Sequence, residues 1–319
     1  MSQLPAPHIS VLYHNIIESL RPISPGRYVD ATVGAGGHAW GILDTSSPAG
    51  QLLGLDLDPL ALQLANQRLS TFAGRYFLEH TSYTNIQPML QKLGWNLVDG
   101  IVIDLGVSSM QIDQPERGFS FQKDGPLDMR FDPSQLTSAA DLVNTLSEAD
   151  LAEILWRYGE ERLSRRIARA IVANRPLHTT LELANLILKT VGRSSGKIHP
   201  ATRSFQALRI ATNGELQALE SFLPQAVTAL KPGGRLAVIS FHSLEDRIVK
   251  QYFRMESSDC ICPPDQPVCT CGHKASIIEV TRHPLIATAE EIAANPRARS
   301  ARLRVAEKID NLAVSGKND

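Results

Sequence analysis

The amino-acid sequence predicts an α/β protein in which a parallel sheet is interrupted by an inserted helical domain. Short apolar runs alternate with helical stretches towards both ends of the chain, which is typical of a parallel sheet covered on both faces. The region between them has no strand candidate. The chain has 319 residues, enough for about two domains. We place the sheet domain at residues 1–110 and 215–319 and the inserted domain at residues 111–214.

The composition is that of an ordinary globular protein, with 43% apolar and 20% charged residues. Lys and Arg (32) almost balance Asp and Glu (33), so any contact with nucleic acid must be local. No apolar run approaches the roughly 18 residues of a membrane span, and the first twenty residues lack the basic and apolar segments of a signal peptide. We therefore expect a cytoplasmic protein that does not contact a membrane.

The first two predicted strands enclose a βαβ unit. The strand at 27–34 ends in a glycine-rich turn, and a helix follows from Gly36. The strand at 51–56 ends on an acid and leads into a helix, which Asp58 caps and in which Pro59 occupies the first turn.

The remaining elements follow in chain order. In the sheet domain they are a strand at 76–79, a strand at 100–104, a helix at 216–230, a turn at 231–234 and a strand at 235–240. Residues 111–131 are polar and rich in turn formers, and 138–189 have the periodicity of amphipathic helices. The tail after Ile309 is predicted to be irregular.

The glycines at 34, 36 and 37 let backbone approach a ligand at the carboxyl edge of the sheet. From the glycines alone, an ordinary turn and a dinucleotide site are equally good interpretations. Asp56 adds a carboxylate that can accept hydrogen bonds from the vicinal hydroxyls of a ribose. The pattern therefore indicates an adenosine-containing ligand.

Two more acids, Asp30 and Asp104, distinguish the ligand classes. Carboxylates suit a positively charged sulfonium, whereas a pyrophosphate needs unopposed donors and would be repelled. The residues favour a sulfonium methyl donor over a dinucleotide.

Nine unusual motifs are spread over nearly the whole chain. They are HISVL (8–12), DATVGAGGH (30–38), DLGVSS (104–109), RGFSF (117–121), DGPLDMR (124–130), GEER (159–162), HPATRSFQ (199–206), SFHSLEDR (240–247) and NPRARS (295–300). Runs of this length and composition make chance similarity a poor explanation. The chain resembles the ribosomal RNA small subunit methyltransferase H family, also called MraW.

The resemblance implies a class I (Rossmann-like) methyltransferase sheet with an inserted helical RNA-recognition domain. It implies a bacterial enzyme that uses S-adenosyl-L-methionine to methylate the exocyclic N4 amine of a cytidine in 16S rRNA of the small ribosomal subunit. It also allows a homodimer. A non-catalytic RNA-binding or ribosome-assembly factor with the same fold is the alternative, which measured methyl transfer would exclude.

The resemblance also implies a donor site. Its residues are Gly36, Gly37, His38, Asp56, Tyr83, Asp104 and Gln111. Tyr83 is expected beside the adenine, with an ordinary surface aromatic as the alternative. His38 has a second interpretation as a residue that merely begins a helix.

Asp104 is the main catalytic candidate, because it ends the fourth strand, where this fold brings acceptor and donor together. An alternative role for Asp104 is to hold the donor. The other two catalytic candidates are His242 and Asp246. The same segment invites a Ser-His-Asp hydrolase, but Ser243 and His242 are adjacent and no nucleophile-elbow motif precedes them.

Three polar segments without periodicity, at 117–132, 199–209 and 240–247, are predicted to be functional loops. The predicted substrate-binding residues are Ser108, Asp128, Arg130, Arg203, Phe205, Arg209 and Ser243. Phe205 is expected to stack on an unpaired base, with a core position as the alternative.

Two basic stretches offer phosphate contacts. Residues 157–175, predicted as one helix, hold six Arg against two Glu. Residues 193–209 add four basic residues with no acid, namely Arg193, Lys197, Arg203 and Arg209. A solvated charged face is the alternative for 157–175.

All four cysteines, Cys260, Cys262, Cys269 and Cys271, form two C-x-C pairs separated by six residues. A structural zinc ion and a metal-free reduced loop are both compatible with them, because C-x-C is tighter than the usual C-x2-C spacing. Since the cluster resembles a variant found in only some family members, no catalytic metal is predicted.

Overall fold

The structure is a computed structural model that describes residues 10–192, 199–266 and 268–310. Arg193, Lys197 and the tail after residue 310 lie outside the described residues. The chain divides into two compact units. The first unit combines the residues up to Gly106 with those from Ala218 onwards, and the second unit is Val107–Gln217.

The first unit contains a seven-stranded sheet. Its strands are β1 (Arg27–Asp30), β2 (Gln51–Asp56), β3 (Tyr76–His80), β4 (Val98–Asp104), β5 (Leu230–Ser240), β6 (Ile277–Glu279) and β7 (Arg302–Lys308). Their order is β3-β2-β1-β4-β5-β7-β6. The five strands from β3 to β5 are parallel, while β7 runs antiparallel to both β5 and β6. The predicted class I, Rossmann-like α/β architecture is confirmed, with an antiparallel edge added to it.

Thirteen helices are present among the described residues. They are α1 (Tyr13–Leu20), α2 (Gly37–Thr45), α3 (Pro59–Leu69), α4 (Ile86–Lys92), α5 (Ser109–Asp113), α6 (Ala139–Thr145), α7 (Glu148–Gly159), α8 (Ser164–Ala173), α9 (Thr180–Val191), α10 (Thr202–Asn213), α11 (Glu215–Ala229), α12 (Ser243–Glu256) and α13 (Ala289–Ala294). Short 3₁₀ helices occur at Ser70–Phe72, Tyr83–Asn85, Pro115–Arg117 and Pro296–Ser300.

The sheet has a separate apolar core on each face, because successive side chains of a strand point to opposite sides. Val29 and Leu53 join a core that includes Phe222 of α11 and Phe253 of α12. Tyr28, their neighbour in β1, joins the other core, which α1, α2 and α3 cover. Burial on both faces explains why the central strands are almost continuously apolar.

The second unit has its own helical core. Leu155, Ile167 and Leu183 from three different helices are fully or almost fully buried there. The helices begin at strong caps. Thr179, for example, accepts a hydrogen bond from the backbone of Glu182, whose carboxylate in turn accepts one from the Thr179 backbone.

The predicted turn at 231–234 is wrong. These residues lie within β5, opposite the single residue Asp99, since Leu230 pairs with Val98 and Arg235 pairs with Gly100. The ammonium of Lys231 lies 2.9 Å from both carboxylate oxygens of Asp99. This ion pair lies at the irregularity in the strand pairing, where Pro and Gly had indicated a turn.

The predicted loops at 199–209 and 240–247 are largely helical. Most of the first lies in α10, and most of the second forms the first turn of α12. The first turns of α10 and α12 are polar, so the helical spacing of apolar residues is not visible there. Only the buried residues further along each helix show it. The predicted helix at 157–175 is two elements, because α7 ends at Gly159 and α8 begins at Ser164.

Candidate active site

Three carboxyl groups lie at the ends of three adjacent strands. Asp30 ends β1, Asp56 ends β2 and Asp104 ends β4. Because β1 lies between the other two strands and is parallel to both, the three ends meet at one edge of the sheet. This is the edge at which open α/β sheets bind ligands.

The loop from β1 to α2 depends on its glycines. Gly34 and Gly36 have positive φ angles of 51° and 77°, a region that favours glycine. A Cβ on Gly36 would lie 3.2 Å from the Cα of Ala65 in α3, and one on Gly37 would collide with the Ser10 hydroxyl. At positions 36 and 37 the missing side chain therefore makes room for protein atoms, whereas the sequence predicted room for a ligand.

Asp56 is tied into this loop by two backbone groups. Its Oδ2 accepts a hydrogen bond from the Gly34 N–H at 2.8 Å, and its Oδ1 accepts one from the Asp58 N–H at 2.9 Å. Burial raises the pKa of Asp56 to about 6, although these N–H donors act in the opposite direction. Each oxygen keeps a second lone pair, so the carboxylate can still accept ligand hydroxyls.

Thr32, which sequence reasoning missed, links the other two acids. Its N–H donates to Asp30 Oδ1 at 3.3 Å, and its hydroxyl accepts from the Asp104 N–H at 2.7 Å. Asp30 is 1% exposed, and burial raises its pKa to about 7. Among the described residues, neither Asp30 Oδ2 nor Asp104 Oδ1 has a hydrogen-bond partner, although both are buried. Unpaired buried oxygens of this kind indicate a site for a ligand.

His38 completes this group. Its side chain is 5% exposed, and its Nε2 lies 3.8 Å from Asp104 Oδ2. Neither ring nitrogen has a hydrogen-bond partner within the described part of the chain. The ring is stacked with that of Tyr13, with centroids 6.4 Å apart and planes at 15°. The side chain is therefore buried, although the backbone of His38 lies in the first turn of α2. Sequence reasoning missed Tyr13, because nothing local marks a tyrosine twenty-five positions before its partner.

Tyr83 lies just after β3 and is half-buried. Its ring meets that of Phe222 edge to face, with centroids 5.1 Å apart. Since it packs against the core, the interpretation of Tyr83 as an ordinary surface aromatic is wrong.

Ser108 and Gln111 belong to the second unit, where they form a reciprocal cap on α5. The Ser108 hydroxyl accepts a hydrogen bond from the Gln111 N–H at 3.2 Å, and Gln111 Oε1 accepts one from the Ser108 N–H at 3.1 Å. Gln111 is 5% exposed. The structure thus gives both residues a local role in ordering this segment.

Asp128 and Arg130 form a bidentate ion pair. Arg130 Nε and Nη2 donate to the two carboxylate oxygens at 2.8 and 2.7 Å, and Nη1 donates to the Gln135 carbonyl at 2.6 Å. Burial acts to raise the pKa of Asp128, but the hydrogen bonds from Arg130 lower it overall. This pair orders the 117–135 segment and leaves the guanidinium little capacity for phosphate.

Two predicted substrate residues have other roles in the structure. Phe205 is 5% exposed, and its ring packs edge to face on that of Phe121 at 4.7 Å. Its prediction as a stacking surface is wrong, because it is a core residue. Arg209 donates two hydrogen bonds of 2.8 Å to the Glu215 carboxylate, so it is not a free phosphate contact. Arg203 is exposed, with one nitrogen 3.4 Å from the Glu160 carbonyl.

The segment around Ser243 is a helix start and lacks the arrangement of a hydrolase. His242 caps α12, with its Nδ1 3.4 Å from the Glu245 nitrogen and its Nε2 3.0 Å from a Glu245 carboxylate oxygen. Asp246 accepts hydrogen bonds from Arg304 at 2.7 Å and from Arg302 at 3.0 Å.

The structure argues against Asp246 as a catalytic residue. Burial acts to raise its pKa, but the two arginines lower it overall, so Asp246 is a poor proton acceptor. His242 caps its helix through Nδ1, and its Nε2 lies beside the Glu245 carboxylate without a hydrogen bond in the described chain. Of the two carboxylate candidates, only Asp104 retains a buried oxygen without a partner in the described chain.

An exposed aromatic side chain that sequence reasoning missed lies in the second unit. Trp156 of α7 is 57% exposed, and Arg157 follows it. Arg162, Arg165 and Arg166 are exposed at the start of the neighbouring α8 or just before it. A helical pattern alone did not show which of several aromatics would face the solvent.

The four cysteines come together in a hairpin after α12. Their sulfur atoms all lie within 4.8 Å of one another, with Cys269–Cys271 at 3.6 Å and Cys260–Cys271 at 3.9 Å. Two backbone N–H groups, of Ile261 and His273, point at Cys271 Sγ at 3.4 and 3.5 Å. These donors, Ile261 foremost, lower the pKa of Cys271 to about 6.

No helix in the described part of the chain is both long and apolar enough to span a bilayer.

Comparison with known proteins gives close relatives. The model of the MraW methylase family matches residues 5–309. A "Ribosomal RNA small subunit methyltransferase H" from Dehalococcoides mccartyi is 55% identical over 303 residues, which are 95% of this chain and 87% of the relative. A protein of the same name from Thermomicrobium roseum is 51% identical over 305 residues, covering 95% of this chain and 94% of the relative. A crystal structure of an rRNA methylase from Streptococcus thermophilus matches 93% of this chain and 94% of its own, with 12% identity and a TM-score of 0.41.

Proposed function

Because the chain belongs to the MraW methylase family, we propose that it transfers a methyl group from S-adenosyl-L-methionine to the exocyclic N4 amine of a cytidine in 16S rRNA. The observation that carries this proposal is the meeting of Asp30, Asp56 and Asp104 at one edge of the sheet, two of them with buried oxygens that lack a partner in the described chain. The names of the relatives support a substrate in the small ribosomal subunit.

The residues at this edge fit the donor. S-adenosyl-L-methionine would supply a methyl group bound to a positively charged sulfur. Asp56 offers free lone pairs for the ribose hydroxyls, and Asp30 and Asp104 supply negative charge for the cationic part. The first-turn N–H groups of α2, at Gly37 and His38, suit its carboxylate. A dinucleotide fits poorly, because three acids would repel its pyrophosphate.

Asp104 is the group that we propose to act on the cytidine. The lone pair of a cytosine amine is delocalised into the ring, which makes the nitrogen a weak nucleophile. A carboxylate oxygen that accepts one amine N–H favours the pyramidal, nucleophilic form and can receive the proton. Asp104 Oδ1 is available for this, because it is buried and has no partner in the described chain.

The test is single-turnover methylation of small-subunit particles at saturating donor, read by nucleoside mass spectrometry. We expect wild-type protein to form N4-methylcytidine. Asp104→Asn should react on the order of 100-fold more slowly, because one aligned acceptor is lost. The exposed Glu18→Gln is the control and should react normally. Wild-type protein that methylates nothing would support an assembly factor, and Asp104→Asn at the wild-type rate would remove Asp104 from catalysis.

We assign RNA recognition to the second unit, around Trp156 and the arginines of α7 and α8. Over residues 157–175, six Arg against two Glu give a local charge of +4. One of the six, Arg175, donates to the Val143 and Leu146 carbonyls and is structural. The exposed arginines can contact phosphates. Trp156 provides a surface on which a base can stack. This aromatic takes the role that the sequence assigned to the buried Phe205.

We propose a structural zinc ion in the cysteine hairpin. Tetrahedral zinc with Zn–S bonds of about 2.3 Å requires sulfur–sulfur distances of about 3.8 Å. The distances of 3.6 and 3.9 Å bracket that value. N–H groups directed at a sulfur also stabilise thiolate, the form that binds metal. None of the three carboxylates of the donor site belongs to this group of four possible ligands, so we assign the metal a structural role.

A further inference from the structure

His38 is a buried titratable group that the proposed chemistry leaves unused. Its Nε2 lies 3.8 Å from Asp104 Oδ2, and both ring nitrogens lack hydrogen-bond partners in the described chain. Stacking on Tyr13 holds the plane of the ring. A buried imidazole is normally paired, because an unsatisfied nitrogen is costly. His38 therefore has unused capacity to hold a proton beside the proposed catalytic carboxylate.

The surroundings of His38 are acidic. Asp104 of β4 is nearest, and Asp30 of β1 is close enough for a charge on His38 to affect it. Tyr13 of α1 faces the ring, and Tyr13 is in turn influenced by Asp44 of α2 and Arg68 of α3. One carboxyl group thus lies next to the imidazole, and a second is within its electrostatic reach.

Each turnover of the proposed reaction changes the charge of this site. The donor arrives with a positive sulfur and leaves as a neutral thioether, while the amine gives up one proton. The carboxyl groups stay where they are. Without compensation, a buried acidic pocket would become more negative by one charge.

We infer that His38 takes up, by way of the Asp104 carboxylate, the proton that the cytidine amine releases. The nitrogen lone pair forms the new N–CH₃ bond, and the pair of the broken S–CH₃ bond stays on sulfur. The pair of the broken N–H bond returns to nitrogen, and the proton passes to Asp104 and then to His38. A positive imidazolium replaces the positive sulfur, so the charge of the site is conserved. This inference rests on the proposed function.

The inference can be tested without turnover. S-adenosylhomocysteine, the demethylated product, has a neutral sulfur and should bind together with a proton, whereas S-adenosyl-L-methionine should not. Calorimetric titration in buffers of different ionisation enthalpy counts the protons. At about pH 7.5 we expect an uptake approaching one proton per site for the product and near zero for the donor.

His38→Gln, titrated until it is saturated with product, should lose the uptake, and His14→Gln, which removes an exposed imidazole from α1, should keep it. Should His38→Gln fail to fold, the ring resonances of His38 in wild-type protein provide the same test. They should move to the protonated form when the product binds. Equal uptake for both ligands, uptake that persists in His38→Gln, or unmoved ring resonances would overturn the inference. If neither ligand bound, the proposed function itself would fail.

Discussion

At the scale of single residues, Asp30 is the acid whose charge the folded protein tolerates least. Its carboxyl is 1% exposed, and burial raises its pKa from 3.8 to about 7. A pKa raised by folding contributes stability that is complete below pH 3.8 and is lost as the pH rises through about 7. The difference between these two pKa values, 3.8 in the unfolded and about 7 in the folded protein, corresponds to roughly 4 kcal/mol of unfolding free energy.

Asp30→Asn should therefore stabilise the ligand-free protein at about pH 8 and flatten the pH dependence of its stability between about pH 4 and 7. Thermal unfolding followed across this range measures both effects. The exposed Glu220→Gln is the matched control and should leave the curve unchanged. A variant that melts no higher than wild type at about pH 8 would show that the buried charge is compensated.

Asp56 has two tasks, and replacing its carboxylate affects both. Its carboxylate holds the backbone of Gly34 and Asp58, and we propose that it also binds the ribose. Asp56→Asn weakens the charge-assisted hydrogen bonds to the hydroxyls, and it also loses one of the two backbone hydrogen bonds because its amide nitrogen cannot accept. We expect donor affinity to fall by roughly 1.5–3 kcal/mol in calorimetric titration.

Asp58→Asn is the control for Asp56→Asn, because it removes a neighbouring charge at the cap of α3, where its Oδ1 accepts from the Leu60 N–H. Its donor affinity should stay close to wild type. An unchanged dissociation constant for Asp56→Asn would place the ribose elsewhere.

At the scale of elements, the cysteine hairpin gives a prediction about metal. Protein purified under reducing conditions should carry about one zinc ion per chain, since tetrahedral thiolate sites bind it tightly. The double variant Cys260→Ser, Cys271→Ser should lose the ion and keep its affinity for the donor. Elemental analysis measures the bound zinc, and calorimetry measures the affinity for the donor. Zinc-free protein that takes up no added zinc would leave the metal-free reduced loop as the interpretation.

Local patterns predicted the elements that carry the proposed donor site. The strand at 51–56 is confirmed residue for residue, because an apolar run ending on an acid is visible in the sequence itself. β6 and β7 were missed, since β6 has three residues and β7 alternates charged with apolar side chains, including the buried Arg304. The side chains that contact Arg304 and His38 lie far from them in the sequence, and no local pattern encodes such contacts.

At the scale of the whole molecule, a formal charge of −1 leaves RNA binding to local patches. Replacing Arg165 and Arg166 together by Gln should weaken RNA binding and reduce the slope of log affinity against log salt by about two. Trp156→Ala should cost roughly 1–3 kcal/mol with an unchanged slope, because stacking releases no counterions. Filter binding across a salt series measures both.

The control for the RNA series is Arg254→Gln, which removes an exposed arginine of α12 in the first unit. It should change neither affinity nor slope. If the double variant kept the wild-type slope, the arginines of α7 and α8 would be a solvated face, and the RNA would bind elsewhere.

The position of β7 between β5 and β6 has a consequence for synthesis on the ribosome. β5 follows β4 only after the whole second unit has been made, and β6 reaches the sheet only through β7, the last strand of the described chain. A nascent chain that stops before Arg302 therefore lacks two strands of the sheet, and β5 is left as an open edge. Such edges invite pairing between chains. Termination just before Arg302 should thus yield aggregating protein, although most of both apolar cores has already been synthesised.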